Sequence, residues 1–428
     1  MASQVFDLRR LRRSFLGVSG LYLLGIPLML LANIVLARTL SVAEFGAFGF
    51  AISLATVLAI PVSGGLPMLL TREVATYSQK TDWPAYRGLI VAAHRWVAAI
   101  SAVIALGLLT WWLTAGGVPT GPLLIGFLLV PFLGLNGIRA GILKGLGRPM
   151  LAEAPTQILQ PALMILGYLG LAWLGLSSAI HAMWWYLCVV IVVFGLASVM
   201  LWQVQPSQVH GAMSDLGDLP RWRRSILPFV LMSAATVLST QIAVLLLGFS
   251  GQEEAVAQMR VAERGAQMVA LPLTFINSIL GPYFVQAMTA QEAGALRRIT
   301  LQSARLTLAA SLPVALILVL FGRSLIGWTF GAPYDALSYL PMATLIAAQV
   351  LSVALGNGGM LLAMGGHERQ TLYSLVLSLA VNAMLCLLLI GTYGAMGAAI
   401  GAAAGIVTAK LYVYVVVRRL FGFSSGVA

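Results

Sequence analysis

Apolar residues in this chain come in runs too long for the amphipathic stripe of a soluble helix. Residues 15–37 contain no charged side chain, and neither do residues 226–249. A helix rises 1.5 Å per residue, so about 20 apolar residues cross a hydrocarbon layer of about 30 Å. Charged or Gly/Pro-rich breaks divide the sequence into twelve such stretches, at 15–37, 45–69, 89–113, 121–141, 157–175, 180–202, 226–249, 256–284, 300–321, 335–363, 370–391 and 395–417. Pro27, Pro61, Pro161, Pro272 and Pro313 lie inside them and predict kinks. The small-residue stretch AMGAAIGAAAG (395–405) predicts close helix packing.

Composition agrees with the pattern. Hydrophobic residues make up 60% of the 428 residues, charged residues only 9%, and the mean hydropathy is +0.94. A soluble domain is about one quarter charged, so this chain cannot keep its surface wet. The fold class expected is an all-α polytopic membrane protein with about twelve transmembrane helices. The first stretch follows four arginines as a signal peptide would, but it runs on without a small-residue cleavage site and reads as a retained span.

The net charge of +12 is a topology signal. With the N-terminus inside, all but four of the 25 Lys and Arg fall on cytoplasmic segments, the exceptions being Arg38, Arg260, Arg264 and Arg323. Both termini of this multi-pass protein are then expected in the cytoplasm. The excess of cations needs only anionic lipid as its partner and no nucleic acid. Cys188 and Cys386 sit in apolar runs and read as small core residues, and the four histidines are scattered singly. No metal, cofactor or catalytic cluster is expected.

The chain also repeats. DLRRLRRSFL (7–16) recurs as DLPRWRRSIL (218–227), and Glu44, Arg87, Arg95 and Pro131 recur as Glu254, Arg297, Arg305 and Pro341. Six stretches follow each copy, an even number, so both halves insert in the same orientation. Residues 1–202 are expected to form an N-terminal six-helix lobe, 203–225 a cytoplasmic linker with the basic start of the second lobe, and 226–428 a C-terminal six-helix lobe. Parallel repeats of this kind are a transporter plan, with substrate between the halves.

Three stretches carry a resemblance. NIVLARTLSVAEFGAFGFAISL (33–54) ends a span in an Ala-Arg-x-Leu turn and begins the next with an acidic-Phe-Gly step. IRAGILKGLGRPMLAEAPTQILQPAL (138–163) has an Arg-x-x-x-Leu-x-Gly-x-Gly-Arg segment before a Pro-flanked span, and RVAERGAQMVALPLTFINSILGPYF (260–284) makes up the eighth. The chain resembles the polysaccharide flippase family of the multidrug/oligosaccharidyl-lipid/polysaccharide exporter superfamily. The resemblance implies a two-lobed fold of twelve to fourteen helices that moves polyprenyl-diphosphate-linked oligosaccharides to the periplasmic leaflet of the bacterial inner membrane. It also implies association with a polysaccharide polymerase and chain-length machinery. Peptidoglycan lipid flippases of this superfamily usually carry two further C-terminal spans, so O-antigen, exopolysaccharide or capsule units are the expected cargo.

Such a cargo presents phosphates and hydroxyls, which selects the candidate site residues. Arginine makes charge-assisted, bidentate contacts to phosphate, and a cation kept within the membrane costs roughly 2.5–3.5 kcal/mol on insertion scales. Arg260 and Arg264 lie one turn apart in the eighth stretch, with Glu263 between them. They read either as an anion site tuned by Glu263 or as an intrahelical salt bridge. Arg38 ends the first stretch, where snorkelling is the other reading, and Arg72 stands at the inner end of the second. Arg139, Lys144 and Arg148 space out along the inner end of the fourth, suited either to funnel head groups inward or to form a solvated cytoplasmic rim. Asn33, Asn136, Gln241, Asn277 and Asn357 are uncharged polar residues within spans, suited either to sugar hydroxyls or to bonds between helices.

The alternative within the same fold is a multidrug or cation antiporter. Such exporters use buried carboxylates, and only Glu153, Glu263 and Asp335 read as lying near spans. An enzyme is not expected, because neither a large outer loop nor a paired-carboxylate motif occurs. LTREVATYSQK (70–80) stands where a major-facilitator transporter would carry its Gly-x-x-x-Asp-Arg-x-Gly loop.

Overall fold

The computed structural model describes residues 8–115, 121–289 and 293–427, and no strand occurs among them. In chain order the helices are α1 (Leu8–Thr39), α2 (Val42–Leu58), α3 (Ile60–Ser63), α4 (Leu66–Lys80), α5 (Trp83–Ala115), α6 (Gly121–Gly145) and α7 (Pro149–Ala154). A π turn over Pro155–Leu159 leads into α8 (Gln160–Trp173), followed by α9 (Ala179–Val204), α10 (Ser207–Gly211), α11 (Leu219–Phe249) and α12 (Glu253–Thr289). The last six are α13 (Ala293–Leu320), α14 (Gly322–Thr329), α15 (Ala332–Ala354), α16 (Gly358–Met364), α17 (Glu368–Tyr393) and α18 (Ala395–Phe421). The side chains of the first basic decapeptide lie outside the described residues.

All twelve apolar stretches fall on helical segments. Among the described residues nine helices are long and apolar enough to cross a membrane, or ten if α2 and the bent segment after it are counted as one span. That pair bends by 43° at a break where Pro61 lies in the first turn of α3, a position where its missing N–H costs nothing. Stretch 157–175 is a composite of π turn and short helix, with Pro155 opening the turn and Pro161 in the first turn of α8, each removing a backbone donor. Stretch 335–363 is not one helix: it breaks between α15 and α16 at Gly356, whose φ of +83° suits a residue without a Cβ. The backbone of Ser425 lies where that Cβ would stand.

By contact the chain forms two compact units, one of residues 1–41 and 54–234, the other of 42–53 and 235–428. In the first unit α4 packs on α5 and α6 through a stripe of Leu66, Leu69, Leu70, Val74 and Tyr77, all buried. Gly141 and Gly145 of α6 let α4 approach closely, since a Cβ at Gly141 would lie 2.9 Å from the Pro67 carbonyl oxygen.

In the second unit α17 and α18 pack along most of their length. Gly397, Gly401 and Gly405 recur every four residues on the contact face, and a Cβ at Gly401 would come 2.5 Å from Cys386 Sγ. This is the close packing expected of the small-residue stretch. Residues 42–53 belong to this unit too: Phe50 meets the edge of Phe249 with centroids 5.3 Å apart, and the Glu253 backbone fills the space beside Gly46. The Gly of the acidic-Phe-Gly step is thus the point where α2 touches the start of α12. One expectation is corrected. Cys386 is buried, but Cys188 is exposed on α9, on an apolar helix whose outer face needs no core.

Candidate functional site

The second unit brings three of the candidate residues together around Arg260. Its guanidinium Nη1 donates to Glu263 Oε2 at 3.2 Å, an i,i+3 pair along α12. Nη2 donates to Gln241 Oε1 at 3.1 Å, to the Gly49 carbonyl at 3.3 Å and to the Ser53 hydroxyl. Gly49 is needed here, because its missing Cβ faces the Arg260 side chain at 3.3 Å. Arg260 therefore ties α2, α11 and α12 together, and its donors are largely spent on the protein. Arg264, one turn on, donates through Nη1 to Gln267 Oε1 at 3.0 Å, and its other donors make no hydrogen bond among the described residues. Asn277 lies further along α12, where its Oδ1 is buried without a hydrogen-bond partner among the described residues.

Glu263 sits in the field of two arginines and in hydrogen-bond contact with one of them. A half-buried carboxylate so placed is a counter-charge, and it leaves the cluster net positive by one. Arranged this way, α12 offers an anion one arginine with open donors beside a second arginine that is already fixed in position.

The first unit holds a different charge cluster, and it corrects the list of buried carboxylates. Glu73 is 1% exposed although it was not among those expected near spans. Its Oε1 accepts from Arg72 at 2.8 Å and its Oε2 from Arg221 at 2.8 Å. Beside it the Tyr77 hydroxyl donates to Asp218 Oδ2 at 2.6 Å and accepts from Trp222 Nε1 at 3.0 Å. Arg72 also lies 5.8 Å from the Phe229 ring centroid. The second basic decapeptide, which includes Asp218, Arg221 and Trp222, is thus fastened to α4. The signal was present in the sequence: Glu73 falls on the helical stripe of Leu66, Leu69, Leu70 and Tyr77, a position that faces a neighbour.

The other candidates lie apart from both clusters. Asn33 donates to the Met29 carbonyl at 2.7 Å within its own helix. Arg38 is exposed in the last turn of α1. Arg139 is 2% exposed and reaches the Ala152 carbonyl at 3.3 Å, while its Nε and Nη1 have no hydrogen-bond partner among the described residues. It is a buried strut between α6 and α7 rather than part of a wet rim, which Lys144 comes nearer to, paired at 2.7 Å with Glu153. Asn136 has a buried Oδ1 without a hydrogen-bond partner among the described residues, and Asn357 donates to Ser303 Oγ at 3.2 Å. No group of three or more potential metal ligands occurs among the described residues.

Solved structures share this arrangement of helices. A multidrug resistance MATE family transporter in its inward-facing conformation superposes with a TM-score of 0.74 at 17% identity, over 93% of this chain and 94% of that one. The lipid II flippase MurJ in an inward closed conformation gives 0.75 at 13% identity, over 94% and 87%. A superfamily transporter from Pyrococcus furiosus, described as having a binding pocket of reverse polarity, gives 0.65 at 16%, over 98% and 99%. The family model for polysaccharide biosynthesis proteins matches residues 11–288, and the chain belongs to that family. No curated protein matches it.

Proposed function

We propose that this protein is a flippase that carries polyprenyl-diphosphate-linked oligosaccharide, of the O-antigen, exopolysaccharide or capsule type, from the inner to the outer leaflet of the bacterial inner membrane. The observation that carries this reading is the arginine pair of α12, where Arg260 is held by Glu263, Gln241 and Ser53 and Arg264 keeps open donors. Arg264 is the phosphate ligand in this reading, Arg260 and Gln241 position it, and Asn277 meets sugar hydroxyls. Arg38 and Asn33 serve the approach of the head group. Twelve crossings in two six-helix lobes, both termini cytoplasmic, would let the protein rock between inward and outward access. Polymerase and chain-length proteins are the expected neighbours.

A cation antiporter of the same fold is less well supported. Both carboxylates that approach the apolar interior on α4 and α12 are already matched by arginine, at 2.8 Å for Glu73 and 3.2 Å for Glu263. The test is complementation of a flippase-null strain by Arg264→Gln and Arg38→Gln, with membrane abundance measured in parallel. Loss of surface polysaccharide at normal abundance, with lipid-linked oligosaccharide accumulating inside, is the expected result. Normal complementation by both variants refutes the anion-site reading.

A further inference from the structure

The inner face of the first unit carries six arginines on α4, α5 and the start of α11, and the structure divides them; one, Arg224, is exposed and does not line the groove that Arg95 and Arg223 share. Arg72 and Arg221 are spent on Glu73. Arg87 donates to the His210 carbonyl at 2.7 Å and also to that of Ala212. Arg95 and Arg223 are exposed and make no hydrogen bond or ion pair among the described residues. These two line the same groove, a cavity of about 310 Å³, and are the only charged residues that line it among the described residues.

The rest of the wall is apolar. Leu66 and Leu69 of α4, Leu89 of α5 and Ile226 of α11 contribute to it. Trp96 and Trp222 line it as well, and their indole nitrogens are bonded elsewhere: Trp96 Nε1 donates to the Pro61 carbonyl at 2.9 Å and Trp222 Nε1 to the Tyr77 hydroxyl. No polar group of either ring needs a partner from the groove. Along α5 the lining runs from Leu89 to Ala99, about 15 Å at helical rise.

The two arginines share one depth. Residues 96–115 of α5 and 226–249 of α11 are free of charge, so Arg95 and Arg223 each stand just before the apolar length that crosses the bilayer. Given the positive-inside orientation, that depth is the headgroup level of the cytoplasmic leaflet, whose anionic lipids attract Lys and Arg near the surface.

We propose that this groove is a binding site for an anionic phospholipid of the inner leaflet, with its phosphate on Arg95 and Arg223 and an acyl chain against Leu66, Leu69, Trp96 and Ile226. The occupant is a resident lipid and not the cargo, so the site stands independently of the flippase reading. Because Trp222 both walls the groove and bonds Tyr77, bound lipid also braces the junction of α4 with α11.

The test is native mass spectrometry of the purified, delipidated protein titrated with phosphatidylglycerol or phosphatidylcholine. Wild type is expected to retain phosphatidylglycerol at least tenfold better than phosphatidylcholine, and Arg95→Gln/Arg223→Gln to lose that preference. Ala92→Trp, which fills the groove and keeps both arginines, should lower binding of phosphatidylglycerol as well. Equal retention of the two lipids by wild type, or undiminished preference in the double variant, overturns the proposal. Displacement of phosphatidylglycerol by an equimolar polyprenyl phosphate overturns the choice of occupant and makes the groove a cargo site. Should the double variant fail to fold, Ala92→Trp decides: unchanged phosphatidylglycerol binding refutes the groove.

Discussion

Replacing Glu73 with Gln keeps the shape of the side chain and removes the charge that joins Arg72 to Arg221. Breaking a fully buried ion pair costs about 3–5 kcal/mol because a charge is left stranded, whereas an exposed pair contributes about 0.2–1 kcal/mol. Glu73 belongs to the first class at 1% exposure, but its arginines are 50% and 55% exposed, so water recovers them once the carboxylate is gone. The glutamine still accepts one hydrogen bond. The expected loss is therefore intermediate, about 1–3 kcal/mol, below the fully buried limit. Unfolding in mixed detergent micelles, followed by tryptophan fluorescence, measures it, and a cycle with Arg221→Gln isolates the pair. The coupling should be at least about 0.5 kcal/mol. A loss within about 0.3 kcal/mol for Glu73→Gln together with strict additivity would mean that the carboxylate does not bridge α4 and α11, and the reading of the second decapeptide as a fastening would fall.

Other consequences can be checked separately. Gly401→Leu should cost about 1–3 kcal/mol or prevent stable assembly by forcing α18 off α17, while Gly107→Leu, where a Cβ meets nothing within 4 Å, should be near neutral in the same unfolding assay. Asn357→Ala removes the buried bond to Ser303 and should destabilise by about 1 kcal/mol, measured likewise. Ser53→Ala should loosen Arg260 and lower complementation less than Arg264→Gln does, since Gln241 and Gly49 still hold the guanidinium. In a background with Cys188 and Cys386 replaced by serine, Ser177→Cys should react with an impermeant maleimide in spheroplasts. Ser214→Cys should react only after lysis; the reverse pattern would invert the topology.

Much of the candidate site could be read from the chain because an arginine inside an apolar helix is conspicuous on composition alone. Arg260, Glu263 and Gln241 were visible as polar exceptions, and the structure brings them into contact. Ser53 and Gly49 were not visible, since a serine and a glycine on an apolar helix are ordinary until another helix brings an arginine to them. Glu73 was missed for a different reason: it stands among charged neighbours at a helix end, where charge is expected, and only its place on the buried stripe of α4 distinguishes it. Arg139 was read as rim and is buried, because linear distance to the end of an apolar run does not say what packs over it.

The sequence by itself determined the class of protein, the helical segments, their alternation with basic loops and the small-residue faces, because each follows from local hydrophobicity and spacing along one helix. Which polar groups meet was decided only by the tertiary structure. Arg260 finds Ser53 207 residues away and Arg221 finds Glu73 148 residues away, and neither separation leaves a periodic trace in the chain. A charge in an apolar environment must be matched, so the sequence shows that partners exist. Packing alone selects them.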